Sequence, residues 1–330
     1  MDADALTDAR RAEWQRLDEL SRARLDGRGV DELIVRYRAA SADLAELKTS
    51  VGDSPQGAYL STILVRARLR LTGASDNILT QIGRFFALQL PAALYRLRWL
   101  TLIIALSFIA VAVGTAAWIA SDPALIATLG PPDALEQYAD ESFTGYYTEN
   151  PAAVFMGMVW TNNAWIAMQC VLFGVTGIWP IYMLVQNAMG LGVSGAVMVA
   201  HDRADVMVLY ILPHGMLEMT CIFVAAAAGL RVFWAWVAPG HRSRGDALAT
   251  EGRALATVAI GLVFALFLAG LVEGFVTGWA LPWPLKIGIG GAALAIFLIY
   301  MVVIGGRAHR RGETGDLIEY EAGTPRLVAG

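Results

Sequence analysis

Charge is scarce in this chain, and the scarcity is uneven. Only 16% of the 330 residues are Asp, Glu, Lys or Arg, while 56% are apolar and the mean hydropathy is +0.52. Soluble domains carry about 25% charged residues. The deficit lies beyond Arg98, where apolar runs reach the ~20 residues that a helix needs to cross a bilayer. That excludes a purely water-soluble protein. Cysteine is nearly missing too: Cys170 and Cys221 stand alone, each inside an apolar run. A disulfide framework is not expected, and two buried free thiols are. The first residues, Met1 to Leu6, are acidic and lack an apolar core, so no secretory signal is expected there. The run near Trp99 is expected to act as the internal insertion signal. The net charge of −4 shows no excess of one sign that would suit a nucleic-acid partner. There is no Walker phosphate loop, no GxSxG and no Cys/His zinc spacing. Nucleotide hydrolysis is excluded, and no catalytic residue or cofactor is indicated.

What is present begins with a head rich in Arg. Leu6, Trp14, Leu17, Leu20 and Leu25 recur at spacings of mostly three or four, the period of an amphipathic helix, which predicts a helix over Ala5–Leu25. Gly27-Arg28-Gly29 is expected to end it. A second helix is expected over Asp31–Leu47, with Leu33, Ile34, Tyr37, Leu44 and Leu47 on one face. After the breaker Gly52-Asp53-Ser54-Pro55 a third is expected over Tyr59–Leu71. Its Arg66, Arg68 and Arg70 would complement the helix dipole. A fourth stretch, Asn77–Arg98, has interrupted apolarity and ends in Arg96-Leu97-Arg98-Trp99. That fits an interfacial helix leading into the bilayer.

Six crossings are predicted: Trp99–Ala120, Asn163–Leu184, Asn187–Ala200, Val206–Val232, Ala254–Phe275 and Leu285–Ile304. The third is short, or one arm of a re-entrant pair. It is expected at the bundle centre, because Gly190, Gly192 and Gly195 allow close packing. The loop Asp122–Val159 has no Lys or Arg but holds Asp122, Asp133, Glu136, Asp140, Glu141 and Glu149. Arg231, Arg242, Arg244 and Arg253 flank the connection between the fourth and fifth crossings. Arg307, Arg310 and Arg311 follow the sixth. The positive-inside rule then puts the head and both termini in the cytoplasm. The acidic loop also carries Tyr138, Phe143, Tyr146 and Tyr147. It reads equally as an amphipathic cap on the membrane surface or as a docking surface. The tryptophans gather at span ends, as in an aromatic belt.

Ionisable groups inside a span cost ~2.5–3.5 kcal/mol on insertion scales, so each asks for a reason. His214 and Glu218 are four apart on one face of the fourth crossing. Glu273 lies near the outer end of the fifth crossing and can approach His214. Asn163, at the start of the second crossing, lies at the same depth, while Asn187 is nearer the inner side. Three readings stand open. The groups are polar glue between helices. Or they form a proton- or ion-coupled path, since a His–Glu pair titrates near physiological pH. Or His214, Glu218 and Glu273 supply three metal ligands. HGxxE is not HExxH, so a metalloprotease is not indicated.

Leu212-Pro213-His214-Gly215-Met216-Leu217-Glu218 followed by Ala225-Ala226-Ala227-Ala228-Gly229-Leu230-Arg231 resembles the stage II sporulation protein M family. So do Asn162-Asn163, Gln186-Asn187 with Gly190 and Gly192, and Leu271-Val272-Glu273-Gly274-Phe275-Val276-Thr277. The head, in Arg11-Ala12-Glu13-Trp14-Gln15-Arg16-Leu17 and Tyr37-Arg38-Ala39-Ala40-Ser41-Ala42-Asp43-Leu44, is similar to that of actinobacterial members. The resemblance implies recurring polar positions at Asn163, Asn187, His214, Glu218 and Glu273, with no catalytic assignment. It implies a membrane scaffold that recruits peptidoglycan-remodelling enzymes, in the company of a MoxR-type ATPase and RDD-type membrane proteins. Together the readings give an all-α membrane bundle in a bacterial cytoplasmic membrane, touching lipid and able to self-associate. Its expected parts are a helical head over residues 1–98, a transmembrane domain over 99–305 with the outer loop 122–159, and a tail over 306–330.

Overall fold

The computed structural model describes residues 3–23, 25–52, 54–71, 78–148, 151–272, 276 and 281–316. Among them every regular element is a helix, and five helices are long and apolar enough to cross a membrane. The protein is an all-α polytopic bundle. It divides into two compact units, one ending at Ile82 and the other starting at Gly83. The sequence reading divides at Arg98; packing groups the residues from Gly83 onward with the bundle.

The first unit holds α1 (Ala3–Arg22), α2 (Gly27–Ser50) and α3 (Pro55–Leu71). The amphipathic spacing turns Trp14, Leu17, Leu33, Leu47, Leu60 and Ile63 into one buried core. The indole Nε1 of Trp14 donates to Asp43 at 2.9 Å, so this buried carboxylate has a partner. The expected glycine stop is displaced. Asp26 caps α2 by accepting from Gly29 N at 2.8 Å, which makes Gly27 and Gly29 the first turn of α2. The arginines of α3 reach across the unit rather than only along their own helix. Arg66 pairs with Asp18, and Arg70 donates to the carbonyl of Ala23 just past α1. Outside, Arg16 and Arg36 grip Glu32. Their hydrogen bonds, Arg16's first, hold that carboxyl below the usual range.

The second unit is a bundle of long helices. It starts in the last residues of α4 (Ile78–Arg84) and continues through a wider π-turn, Phe85–Gln89, into α5 (Leu90–Ala120). The expected interfacial helix and first crossing are thus one helical run, Gln81–Ala120, of 40 residues. The helix runs unbroken through Arg98, and Arg96 on it pairs with Glu251 at 2.6 Å. The remaining long helices are α9 (Ala152–Leu172), α10 (Ile178–Ala200), α11 (Ala204–Val237), α12 (Arg244–Val272) and α13 (Trp283–Ile299). A second π-turn, Tyr300–Ile304, links α13 to α14 (Gly305–Arg310). The two π-turns meet where the Tyr300 hydroxyl donates to the carbonyl of Phe86 at 2.5 Å.

The expected second and third crossings need correction. The chain does not break at Gln186-Asn187, and Asn163–Leu184 is not one helix. The break comes at Phe173–Gly177, where a short 3₁₀ turn ends in Gly177 with φ +70, a conformation glycine adopts without steric cost. α10 therefore has 23 residues, about 34 Å at 1.5 Å per residue, and is neither short nor re-entrant. The polar pair misled because the Asn187 amide bonds back to Met183 O within α10, at 2.7 Å. Nor is α10 central. Gly192 lies against Ala112 and Thr115 of α5, while Ile178, Ile181 and Tyr182 nearer its start are exposed. The axis of the bundle is α11, whose Cys221–Ala228 stretch is buried throughout. Its run of alanines has no bulky side to keep neighbours away.

Between α5 and α9 the acidic loop folds as α6 (Pro123–Leu129), α7 (Pro132–Gln137), a π-turn (Tyr138–Ser142) and α8 (Phe143–Thr148). Its apolar side is anchored. Ala139 and Phe143 bury against Met198, with Tyr138, Tyr147 and Tyr210 around them. Tyr138 donates to Ser194 Oγ at 3.1 Å, and Arg203 pairs with Asp140 at 2.6 Å.

One backbone-to-backbone contact in the bundle joins Gly174 to Gly229. A Cβ at Gly229 would stand 2.3 Å from the carbonyl oxygen of Cys170. Replacing Gly229 with Val should cost ~1–3 kcal/mol through overpacking and lower the thermal midpoint in detergent. Gly288→Ala, where a Cβ meets nothing within 4 Å, should leave the midpoint unchanged. Equal midpoints for Gly229→Val and wild type would refute the contact.

Candidate functional site

Lipid cannot solvate a polar side chain, so every polar group in the bundle must find its partner in the protein. α11 carries two such groups on one face, His214 and Glu218, only 6% and 4% exposed. Pro213, inside the same helix, has no backbone donor to give its own helix. Its carbonyl lies where a Cβ on Gly290 of α13 would be 2.0 Å away, so the two backbones touch.

Asn163 reaches the site from α9. Its Nδ2 donates to Glu218 Oε2 at 2.8 Å. The other carboxyl oxygen, Oε1, is buried and has no hydrogen-bond partner among the described residues. The carboxyl is therefore half satisfied, an uncommon condition for a buried acid. One helical turn before Asn163, the buried Nε1 of Trp160 also lacks a partner among the described residues.

The lid over the site comes from the acidic loop. The ring of Tyr147 lies 5.7 Å from the imidazole of His214 at a tilt of 40°. Tyr147 also meets Tyr210 at 5.2 Å, and Phe143 and Phe155 at 5.6 Å each. Tyr210 in turn stands 4.9 Å from Trp283 of α13. The loop and the intramembrane polar group, read separately in the sequence, are thus one packed structure.

The five sequence-predicted site residues do not all converge. Asn163, His214 and Glu218 lie together. Asn187 bonds to its own helix and joins none of them. Glu273 lies outside the described residues. Among the described residues no group of three or more His, Cys, Asp or Glu is placed to hold a metal. Outside the site, His201 closes the end of α10, with its ring nitrogen 2.8 Å from Val197 O.

Several polar groups escaped the sequence reading. Lys286, near the start of α13, is only 6% exposed, and its ammonium lies 4.4 Å from the centre of the Trp283 ring. The insertion cost that singles out His214 applies equally to this lysine. At the other end of α11, Arg231 and Arg96 both bond Glu251, at 2.7 and 2.6 Å. These residues look like ordinary flanking charges in the sequence, because their partners are 20 and 155 positions away.

Comparison with known proteins bears on both units. The family model described as Stage II sporulation protein M matches residues 102–278, a span that takes in Asn163, Asn187, His214 and Glu218. A model described as Domain of unknown function (DUF8413) matches residues 4–73. No curated protein and no solved structure matches the chain.

The Asn163–Glu218 bond has a direct test. Replacing Asn163 with Leu leaves both carboxyl oxygens without a donor from this pair, and should cost about 1–3 kcal/mol. Removing both partners in an Asn163→Leu/Glu218→Leu protein should recover much of that loss. The check is thermal unfolding in one detergent. A double variant no more stable than the single one would show that the bond is not what the site needs.

Proposed function

The chain belongs to the stage II sporulation protein M family, and from that premise we propose that it is a non-enzymatic scaffold or assembly factor of the bacterial cell envelope. It would sit in the cytoplasmic membrane with the head and both termini inside and the acidic loop outside. The observation that carries the reading is the two-sided build of that loop. One side is held to the bundle by Phe143, Tyr138 and Tyr147. The other exposes Asp122, Asp133, Glu136 and Glu141. A flexible connector has no need of such anchoring. An anchored face of one charge sign suits a basic partner, because complementary potentials steer docking and reject wrong partners. The head, with its own core around Trp14 and Leu33, supplies a second surface. Its partners would be peptidoglycan-remodelling enzymes on one side and, on the other, an associated ATPase or membrane protein.

The test uses the full-length protein in its own membrane. Photo-crosslinkers at Glu136 and Glu141 should give adducts with a cell-wall hydrolase or its adaptor. Converting Asp133, Glu136 and Glu141 to Lys should abolish them without moving the thermal midpoint. Adducts only with other copies of this chain, from both cap and head, would end the scaffold reading.

A second reading, transport through the His214–Glu218 site, is favoured by the half-satisfied Glu218 carboxyl. It is opposed by the Ile222–Ala228 stretch, apolar and buried on every side. Proton or solute flux in proteoliposomes that is unchanged by Glu218→Gln would remove it.

A further inference from the structure

The end of the bundle that carries the arginines holds a second constructed site, in a part of the chain with no motif. After α14 the tail turns back, and Glu313–Asp316 lies along α5 and α12. Arg253 donates to both oxygens of Asp316, at 2.5 and 2.6 Å. Arg96 donates to Thr314 O at 2.8 Å, and Arg84 reaches Glu313 at 3.5 Å. The Thr257 hydroxyl donates to Gly315 O at 2.8 Å. Gly315, with φ +81, is pressed so closely on Ala93 that a Cβ would stand 2.5 Å from the Ala93 Cβ. Asp316 is only 8% exposed.

The chemistry of the turn differs from that of a core segment. Glu-Thr-Gly-Asp brings no large apolar side chain, so it is held by charge and hydrogen bonds and not by hydrophobic burial. Such a hold weakens as a competing anion accumulates. The two-pronged grip of Arg253 on a carboxylate is also the geometry with which a guanidinium takes a phosphate. The surroundings favour the exchange. Among the described residues at this end, ten arginines (84, 96, 98, 231, 242, 244, 253, 307, 310 and 311) face four carboxylates (246, 251, 313 and 316). Glu251 is already shared between Arg96 and Arg231. The cluster flanks the ends of the membrane-crossing helices, at the level where lipid headgroups lie, and basic pockets between such helices take anionic headgroups.

We propose that Arg84, Arg96 and Arg253 form a phosphate-binding site for an anionic phospholipid headgroup, and that the Glu313–Asp316 turn is a built-in plug that the headgroup displaces. The site then reports the local lipid to the tail. The residues of the site lie outside the family match over 102–278, apart from Arg253. The inference does not rest on the scaffold reading, and either can fail alone.

Hydrogen–deuterium exchange of the full-length protein in nanodiscs tests it. In phosphatidylcholine the peptide covering Glu313–Asp316 should be protected. In phosphatidylglycerol its exchange should rise several-fold. Inorganic phosphate added to phosphatidylcholine discs should leave it protected if the ligand is a headgroup; release by phosphate but not by chloride at equal ionic strength would assign the site to free phosphate instead. Glu313→Gln/Asp316→Asn should unmask the turn in both lipids and raise the number of phosphatidylglycerol molecules retained in native mass spectra. Arg253→Gln should unmask the turn without that gain. Equal protection in both lipids, or release by chloride as effective as by phosphatidylglycerol, would overturn the proposal.

Discussion

The backbone contact between Gly174 and Gly229 sets the geometry on which the intramembrane site depends. No side chain fits between these residues, so the turn after α9 and the C-terminal half of α11 are in backbone contact. Eleven residues separate Asn163 from Gly174, and eleven separate Glu218 from Gly229. Eleven residues make about three helical turns. Two helices that touch at the glycines and run the same way therefore bring Asn163 to Glu218 at matching height. The 2.8 Å bond between them follows from the glycine contact three turns away. Polar pairing in lipid needs such a register, because neither group can be rescued by water if it misses its partner.

The same helix ties the two ends of the bundle together. At one end α11 offers His214 to the Tyr147 ring of the cap. At the other it offers Arg231 to Glu251 and, through it, to Arg96. From Ile222 to Leu230, between these ends, α11 is a run of small and apolar residues without a polar step. α11 is thus a rigid, tightly enclosed strut with a chemically distinct group at each end. A strut of this kind holds the acidic loop in fixed relation to the rest of the bundle.

The aromatic residues of the acidic loop serve packing before anything else. Tyr147 lies within ring contact of Tyr210, Phe143, Phe155 and His214, which leaves the loop's acids as its outward chemistry. The opposite end inverts the arrangement: arginines are in excess, and the tail's carboxylates are drawn in among them. Charge asymmetry between the two ends is therefore a matter of folded surfaces as well as of sequence.

Apolar run lengths and the three-to-four spacing in the head determined, by themselves, an all-α membrane bundle with a helical head, because helix period and bilayer thickness act locally. The cost of a charge in lipid was enough to single out His214 and Glu218. It did not lead to Lys286, which lies inside the predicted sixth crossing, and it could not show that Asn187 satisfies itself on its own helix. Tertiary structure alone decided the rest. The break at Gly177 comes from one glycine's positive φ, against the stronger polar signal at Gln186-Asn187. The centrality of α11 comes from how closely neighbours approach its alanines. Arg96 with Glu251, and Arg253 with Asp316, pair across 155 and 63 positions. Such partners are brought together by packing, and no local pattern in the chain records them.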